Sequence, residues 1–420
     1  MKDICILGMG YIGLPTACMF AKTGFNVHGV DIKDHVVQKL RNGDIHIEEP
    51  GLEDLLQEVI KTGKLHFDLE PIEADAYIIC VPTPLKPEKT AELKYVRNAT
   101  ESIVNYLKEG SLVILESTVP PGTCKEVVLP ILETSGMKVG EKIFLSFCPE
   151  RVIPGRILIE IVENDRIVGG IDDKSTNRAK KLYSSFVKGN ILTTNSTTAE
   201  MVKLMENTYR DVNIALANEF ALIAGTLGID IWQAIQLANR HPRVNIHSPG
   251  PGVGGHCIPI VPWFIVEKNK ERTPLIQKAR QINDMMPSEI ISILEDFTNL
   301  DNNPVITIWG VAFKPNTDDA SFSPATEIIR NIQLKGGQVK IHDPFVKEYE
   351  FPLVSLEESV KHSECILIIA NHDYYEEINP EKVGKDMNHK NIIDTRNSID
   401  LDHWVSAGFK AIIFGDAKTY

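Results

Sequence analysis

Cys257 lies in the run Pro249-Gly250-Pro251-Gly252-Val253-Gly254-Gly255-His256-Cys257-Ile258-Pro259, which has too many glycines to be core. A thiol there is accessible, and as thiolate it attacks carbonyls. The same chain opens with Gly8-Met9-Gly10-Tyr11-Ile12-Gly13, the glycine spacing of a dinucleotide site. A thiol beside an oxidised nicotinamide implies a covalent oxidation: the thiolate adds to an aldehyde, a second hydride leaves, and water cleaves the thioester to an acid. That is a four-electron oxidation of an alcohol. Free cysteine is more often a buried packing residue, so it is the flanking glycines that single out Cys257.

Lys203, Asn207 and Arg210 stand at i, i+4 and i+7, on one helix face. Met201, Leu204, Met205, Val212, Ile214, Leu216 and Ala217 occupy the other faces, so the helix is expected to be buried on several sides and its polar stripe to meet a polar ligand. Lys203, desolvated, would act as general base or hold a developing alkoxide. The pattern Thr197-x-x-Glu200 reads as a capping box and Gly228 as the stop. The helix between them has about 30 residues and spans ~45 Å, enough to join two domains.

Around the fingerprint, strand, glycine turn and helix come in the required order: Lys2 to Leu7, the loop, then Leu14 to Lys22. The next strand, Asn26 to Val30, ends at Asp31, whose carboxylate suits a ribose 2′-hydroxyl and repels a 2′-phosphate, so NAD is favoured over NADP. Strands at Ala76 to Val81, Ser111 to Glu116 and Lys142 to Cys148 alternate with helices, predicting a doubly wound parallel sheet. Ligands lie beyond the carboxyl ends of such strands, which directs attention to Pro82-Thr83-Pro84, Glu116-Ser117-Thr118 and Pro149-Glu150-Arg151, although turn chemistry alone accounts equally well for Thr83 and Thr118. In the last third, Pro304 to Gly310 is a strand, Ser323-Pro324 caps a helix through Leu334, and Gln338 to Ile341 runs into His342-Asp343, a second nucleotide-type unit with Phe313-Lys314 at its first strand end. The expected architecture is α/β: two doubly wound Rossmann-like domains joined by a long central helix within a helical middle domain. The divisions are 1–194 for NAD, 195–300 for the helical, dimerising part and 301–420 for the second nucleotide.

A net charge of −13 disfavours nucleic acid, which wants a basic face. An anionic small substrate must then be met by local Lys and Arg. No run approaches 18 apolar residues, and the first residues read as a strand, so no membrane insertion and a cytoplasmic location are expected. Seven scattered cysteines predict free thiols and no metal site.

The segments GMGYIGLP, VPTP, ESTVPPGT, CPERVIPG, TAEMVKLMENTYRDVNIALANE, NRHPRVNIHSPGPGVGGHC and GVAFKPNTDD resemble the UDP-glucose/GDP-mannose dehydrogenase family along essentially the whole chain. HPRVN beside PGPGVGGHC resembles its N-acetylmannosamine branch. The resemblance implies a UDP-sugar substrate oxidised at C6 with two NAD, a homodimer built through the long helix, and a product used in capsule or envelope polysaccharide. It makes Cys257 the nucleophile, has Lys203 and Asn207 hold the C6 oxygen and oxyanion, and has Glu150 and Thr118 assist water and proton transfer. It gives Arg151, Val152, Arg210, His241, Arg243, Gly254, Phe313 and Lys314 to the nucleotide sugar, with His241 and Arg243 entering from a neighbouring subunit. It puts Tyr11, Ile12, Asp31, Thr83 and Thr118 around NAD, beside Gly8, Gly10 and Gly13 of the fingerprint. Two positions depart from the family: Val261 stands where a water-ordering Asp is usual, and Ser321 where a cofactor-binding Arg is usual. A low turnover is expected from Val261. Two rival readings are open at this point. One is a two-electron dehydrogenase of the β-hydroxyacid type, which needs no thiol; the other is a nucleotide-sugar-binding homologue with weak or no catalysis.

Overall fold

The computed structural model describes residues 1–416. Strands β1 (Asp3–Leu7), β2 (Asn26–Val30), β3 (Leu65–Asp68), β4 (Ala76–Ile79), β5 (Leu112–Leu115), β6 (Phe144–Phe147), β7 (Arg166–Gly170) and β8 (Ile191–Asn195) form one sheet, ordered β3-β2-β1-β4-β5-β6-β7-β8. The first six are parallel and doubly wound. β7 meets β6 antiparallel, pairing Ser146 with Gly170 and Phe147 with Gly169, a reversal that the sequence pattern did not disclose.

Alternate residues of one strand enter different cores. Ile4, Ile6, Ile78 and Ile114 pack with Leu14 and Phe20 of α1 (Gly13–Lys22), whereas Cys5, Leu7, Ile79 and Leu115 pack with Val128 and Leu132. A parallel sheet covered on both faces needs apolar residues at every strand position, and each such side chain contributes roughly 1.5–3 kcal/mol.

Strands β9 (Val305–Trp309), β10 (Gln338–His342), β11 (Cys365–Ile368), β12 (Asn391–Asp394) and β13 (Lys410–Ile413) make an all-parallel sheet ordered β10-β9-β11-β12-β13. In that order the switch point, where ligands of open α/β sheets bind, falls between β9 and β11. The chain divides into two compact units, Met1–Glu206 with Trp263–Lys270, and Asn207–Pro262 with Glu271 onward.

Helix α2 (Asp173–Tyr183) starts at Asp172, whose side chain accepts from Ser175 N. Helix α3 (Ser196–Leu227) is the long one. Its start differs from the capping-box expectation. Asn195 Oδ1 accepts from Thr198 N (2.9 Å), and buried Glu200 instead accepts from the backbone N–H of Gly122 and Cys124 (2.5 and 2.8 Å). Those N–H groups open another helical segment and lack partners in their own turn. Burial also differs from expectation. Leu204 and Ala217 are buried, but Met205, Tyr209, Leu216, Phe220, Ile223 and Leu227 are exposed. At 3.6 residues per turn these six fall within an arc of about 60°, an apolar stripe to which the described residues offer no cover. Helices α4 (Val261–Val266), α5 (Pro274–Glu295) and α6 (Pro324–Leu334) follow. Ser323 Oγ accepts from Ala325 N at 3.2 Å, the N-cap that Ser323-Pro324 announces.

Candidate active site

Between β1 and α1 the glycines have separate tasks. A Cβ on Gly8 (φ +93°) would stand 2.5 Å from Cys80 O, and one on Gly13 would overlap Gly8 O, so these two let β1, β4 and α1 converge. Around Gly10 no atom lies within 4 Å of a built Cβ, which leaves its backbone facing open space. Ile12 puts no side-chain cap on α1, so the helix end keeps its anion-binding character. Asp31 Oδ2 accepts from Met9 N and Oδ1 from Lys33 N, both at 3.0 Å, which fixes the carboxylate beside the loop. Tyr11 is exposed and Ile12 half-buried on the rim. This donor set fits the pyrophosphate and ribose of NAD. Thr83 Oγ1 donates to Thr118 O at 2.6 Å, tying the ends of β4 and β5 together.

Glu150 follows β6. Its Oε2 accepts from Arg166 Nη2 and its Oε1 from Arg151 N, both at 2.6 Å. Arg151 directs its guanidinium to Asp165 O (3.0 Å) and Glu206 (2.8 Å), and Val152 packs on the core. Lys203 is half-buried one turn before Asn207. The Nδ2 of Asn207 and the Oγ1 of Thr208 are buried without a hydrogen-bond partner. An orphaned buried donor costs about 1–3 kcal/mol, so the Asn207 Nδ2 is free to donate to a further acceptor. Arg210 is exposed on the same helix.

In the second unit, Cys257 is exposed, whereas Cys5, Cys18, Cys124, Cys148 and Cys365 are buried and Cys80 is half-buried. Burial pushes the Cys5, Cys18 and Cys148 thiols up to about 12 and raises Cys80, Cys124 and Cys365 as well, keeping them protonated. The loop carrying Cys257 is clamped at several points. Gly255 N donates to Ser321 O (2.8 Å), a Cβ on Gly254 would meet Phe313 Cβ at 2.8 Å, and the His256 ring meets Phe322 edge-on at 5.1 Å. Val261 N, opening α4, donates to Cys257 O at 2.9 Å. Val261 and Ser321, the two positions that depart from the family pattern, therefore both hold the thiol loop through backbone atoms. The root of the loop is held from the helices: Gly250 N donates to Asn218 Oδ1 (2.8 Å), Asn218 Nδ2 to Asn283 Oδ1 (3.0 Å), and Asn283 Nδ2 to Asp211 Oδ1 (2.9 Å), which also takes Arg280. His241 and Arg243 occupy an exposed turn that Asn239 staples by two bonds to Ile246 (2.7 and 2.9 Å).

Phe313 and Lys314 follow β9 at the switch point, where Lys314 Nζ lies 5.8 Å from the Phe313 ring centre. Asp343, at the end of β10, occupies the place that Asp31 has in the first unit. Its Oδ2 accepts from Val311 N, Ala312 N and His372 Nε2 (2.7, 3.2 and 3.1 Å), and its Oδ1 from Phe345 N and Val346 N (both 2.9 Å). So saturated, it cannot also read a ribose, and the second unit is no copy of the dinucleotide site. His372 Nδ1 accepts from Asn316 N at 2.8 Å, carrying this support into the Phe313-Lys314 loop. Burial raises the Asp343 pKa, but His372 and the backbone donors outweigh it and hold the carboxyl at about 2. Because this value is depressed, the stabilisation of about 2.5 kcal/mol is complete above an ordinary aspartate pKa near 3.9 and fades as pH falls through ~2. Asp343→Asn is expected to melt below the parent at neutral pH, with the gap closing between about pH 4 and pH 2. A pH-independent gap in thermal melts would rule this role out.

Three family models cover the chain in succession. The NAD binding domain of the UDP-glucose/GDP-mannose dehydrogenase family matches residues 2–187, its central domain 197–285 and its UDP binding domain 307–401. The chain belongs to this family. Its first unit therefore binds NAD, and the protein is an NAD-dependent oxidoreductase of UDP-sugars. It is 46% identical over 425 residues to the UDP-N-acetyl-D-mannosamine dehydrogenase of Methanococcus maripaludis, covering 99% of this chain and 97% of that protein. The structure of the UDP-D-ManNAc dehydrogenase of Pyrococcus horikoshii superposes with a TM-score of 0.93 at 43% identity, covering 99% of both chains. A derivative structure of the UDP-N-acetyl-mannosamine dehydrogenase Cap5O from S. aureus gives 0.90 at 40% identity, covering all of both chains. No helix is long and apolar enough to cross a membrane among the described residues.

The sequence pointed to Glu116 only as part of a strand-end segment, without its buried partners, and gave no notice of Arg166, the Asn218–Asn283 pair or His372. Arg166 left one faint signal, a cation opening the apolar strand Arg166-Ile-Val-Gly-Gly.

Proposed function

We propose that this protein oxidises the C6 alcohol of UDP-N-acetyl-D-mannosamine to UDP-N-acetyl-D-mannosaminuronate, using two NAD per sugar. The observation that carries the reading is that Cys257 is the one exposed thiol among the described residues, on a loop pressed against the Phe313 loop of the UDP-binding domain. The relatives above carry the name of this reaction.

NAD, when bound, supplies the hydride acceptor for both oxidations. Cys257 thiolate adds to the C6 aldehyde as a thiohemiacetal, which becomes a thioester, and Lys203 and Asn207 hold the C6 oxygen, the latter through its unpartnered Nδ2. Glu150 and Thr118 serve the water and proton transfers of hydrolysis. Arg151, Val152, Arg210, Gly254, Phe313 and Lys314 hold the nucleotide sugar, joined by His241 and Arg243 of a second copy. Gly8, Gly10, Tyr11, Ile12, Gly13, Asp31, Thr83 and Ser321 serve NAD. Val261 brings no carboxylate to the thiol, which makes for slow turnover.

The three functional segments are 1–194, 195–300 and 301–420. The exposed stripe from Met205 to Leu227 supports a homodimer through α3, an apolar patch being the mark of an interface. The enzyme works in the cytoplasm and feeds capsule or envelope polysaccharide synthesis. Purified protein given NAD and a panel of UDP-sugars should form two NADH per UDP-N-acetyl-D-mannosamine. One NADH with released aldehyde, or a clear preference for another sugar, sinks the reading.

A further inference from the structure

Beneath Glu150 lies a cluster of charge that the catalytic roles above leave unused. β7 returns antiparallel to β6, so Arg166 at its start comes back under the end of β6, where Glu150 emerges. Arg166, Glu116 and Glu150 are all nearly buried, at 4%, 3% and 9% exposed. Arg166 Nη2 donates to Glu150 Oε2 (2.6 Å), while Nη1 donates to Glu116 Oε1 (3.2 Å) and to Cys148 Sγ (3.5 Å). Glu116 takes two more donors, Tyr183 Oη on Oε1 and Cys80 Sγ on Oε2 (3.1 Å). The Tyr183 ring lies under the guanidinium, 4.6 Å away.

Burial raises the Glu116 carboxyl, against the pull of Arg166, and the acidic groups around Arg166 keep its guanidinium charged despite burial. Such buried ion pairs rarely add stability over apolar packing of the same volume, so this cluster calls for a use. Its geometry supplies one. Glu116 is engaged on both oxygens by side chains and serves as counter-charge. Glu150 receives one guanidinium N–H and one backbone N–H, which fix the plane of its carboxylate.

We infer that Arg166, with Glu116 as its counter-charge, is a positioning residue that aims the Glu150 carboxylate at the water that hydrolyses the acyl-enzyme. This rests on the proposed function. In that step the water oxygen bonds to the acyl carbon, its proton passes to Glu150, the C–S bond breaks, and the sulfur of Cys257 leaves as thiolate. Nothing is oxidised or reduced.

The test follows single turnover and steady state in the full-length protein with NAD and UDP-N-acetyl-D-mannosamine, using Arg166→Met, Arg166→Lys and Glu116→Gln. Arg166→Met should keep the NADH burst, lose about 10²-fold in kcat, and accumulate an acyl group on Cys257 visible by intact mass after acid quench. Arg166→Lys should recover part of the loss. Glu116→Gln takes the counter-charge from Arg166 and should lose part of kcat with the NADH burst kept and the acyl group again accumulating on Cys257. Parental kcat in Arg166→Met, or burst and acylation falling together without rescue by Lys, overturns the inference. Should Arg166→Met not fold, a Glu116→Gln variant with parental kcat and no accumulated acyl group overturns it alone. A parent that yields one NADH and free aldehyde removes both the reading and the inference. A parent that yields two, with all three variants like it, removes the inference only.

Discussion

Cys257→Ser is expected to bind NAD as the parent does and to form the acid on the order of 10³-fold more slowly, or worse. The replacement keeps shape and polarity but removes the acidity that lets sulfur attack at neutral pH. No other cysteine can stand in, because burial raises the thiols of the remaining six and keeps them protonated. The loop should keep its form, since Gly255 N, Ser321 O and Val261 N hold it through main chain. The check is uronate formed per enzyme per minute, beside an NAD titration. Acid formation within tenfold of the parent would remove the thiol from the reaction.

Gly13→Ala is expected to weaken NAD binding by about 10²-fold, roughly 2.7 kcal/mol. The new methyl would overlap the carbonyl oxygen of Gly8, and backbone cannot step aside as a flexible side chain can. Relief comes only by lifting the first turn of α1 off the end of β1, which takes the N–H donors away from the pyrophosphate. Gly10→Ala is the informative partner. Nothing surrounds that position, so any loss there reports on the ligand and not on the fold. UDP binding, which belongs to the other unit, serves as the control and should not move in either variant. Equal NAD affinity for Gly13→Ala and parent would mean the cofactor lies elsewhere.

Much of this was legible along the chain. Gly8 to Gly13 and Asp31 lie within one strand–helix–strand unit, so their spacing alone places them, and β1, α1 and β2 fall where the pattern put them. The Ser323 cap, the start of α6 and the loop nature of the residues before Cys257 are likewise local facts. Other residues gave misleading local signals. Glu200 has the spacing of a capping box, yet its carboxylate is taken by Gly122 and Cys124, some 80 residues earlier (|i−j| of 78 and 76). Met205 and Leu216 read as buried because they are apolar, yet they line an exposed stripe.

From residue types and spacing alone came the cofactor fingerprint, the glycine-rich loop that leaves Cys257 exposed and the division into two nucleotide-type sheets, all set by contacts between near neighbours in the chain. Strand order decided the rest. Only when β7 turns back beside β6 does Arg166 reach Glu150 and Glu116, and only when β9, β10 and β11 align do Asp343 and His372 brace the Phe313 loop. Hydrophobic periodicity tells which face of a strand is buried but is blind to which strand lies next to it, so charge pairings across strands became visible only in three dimensions.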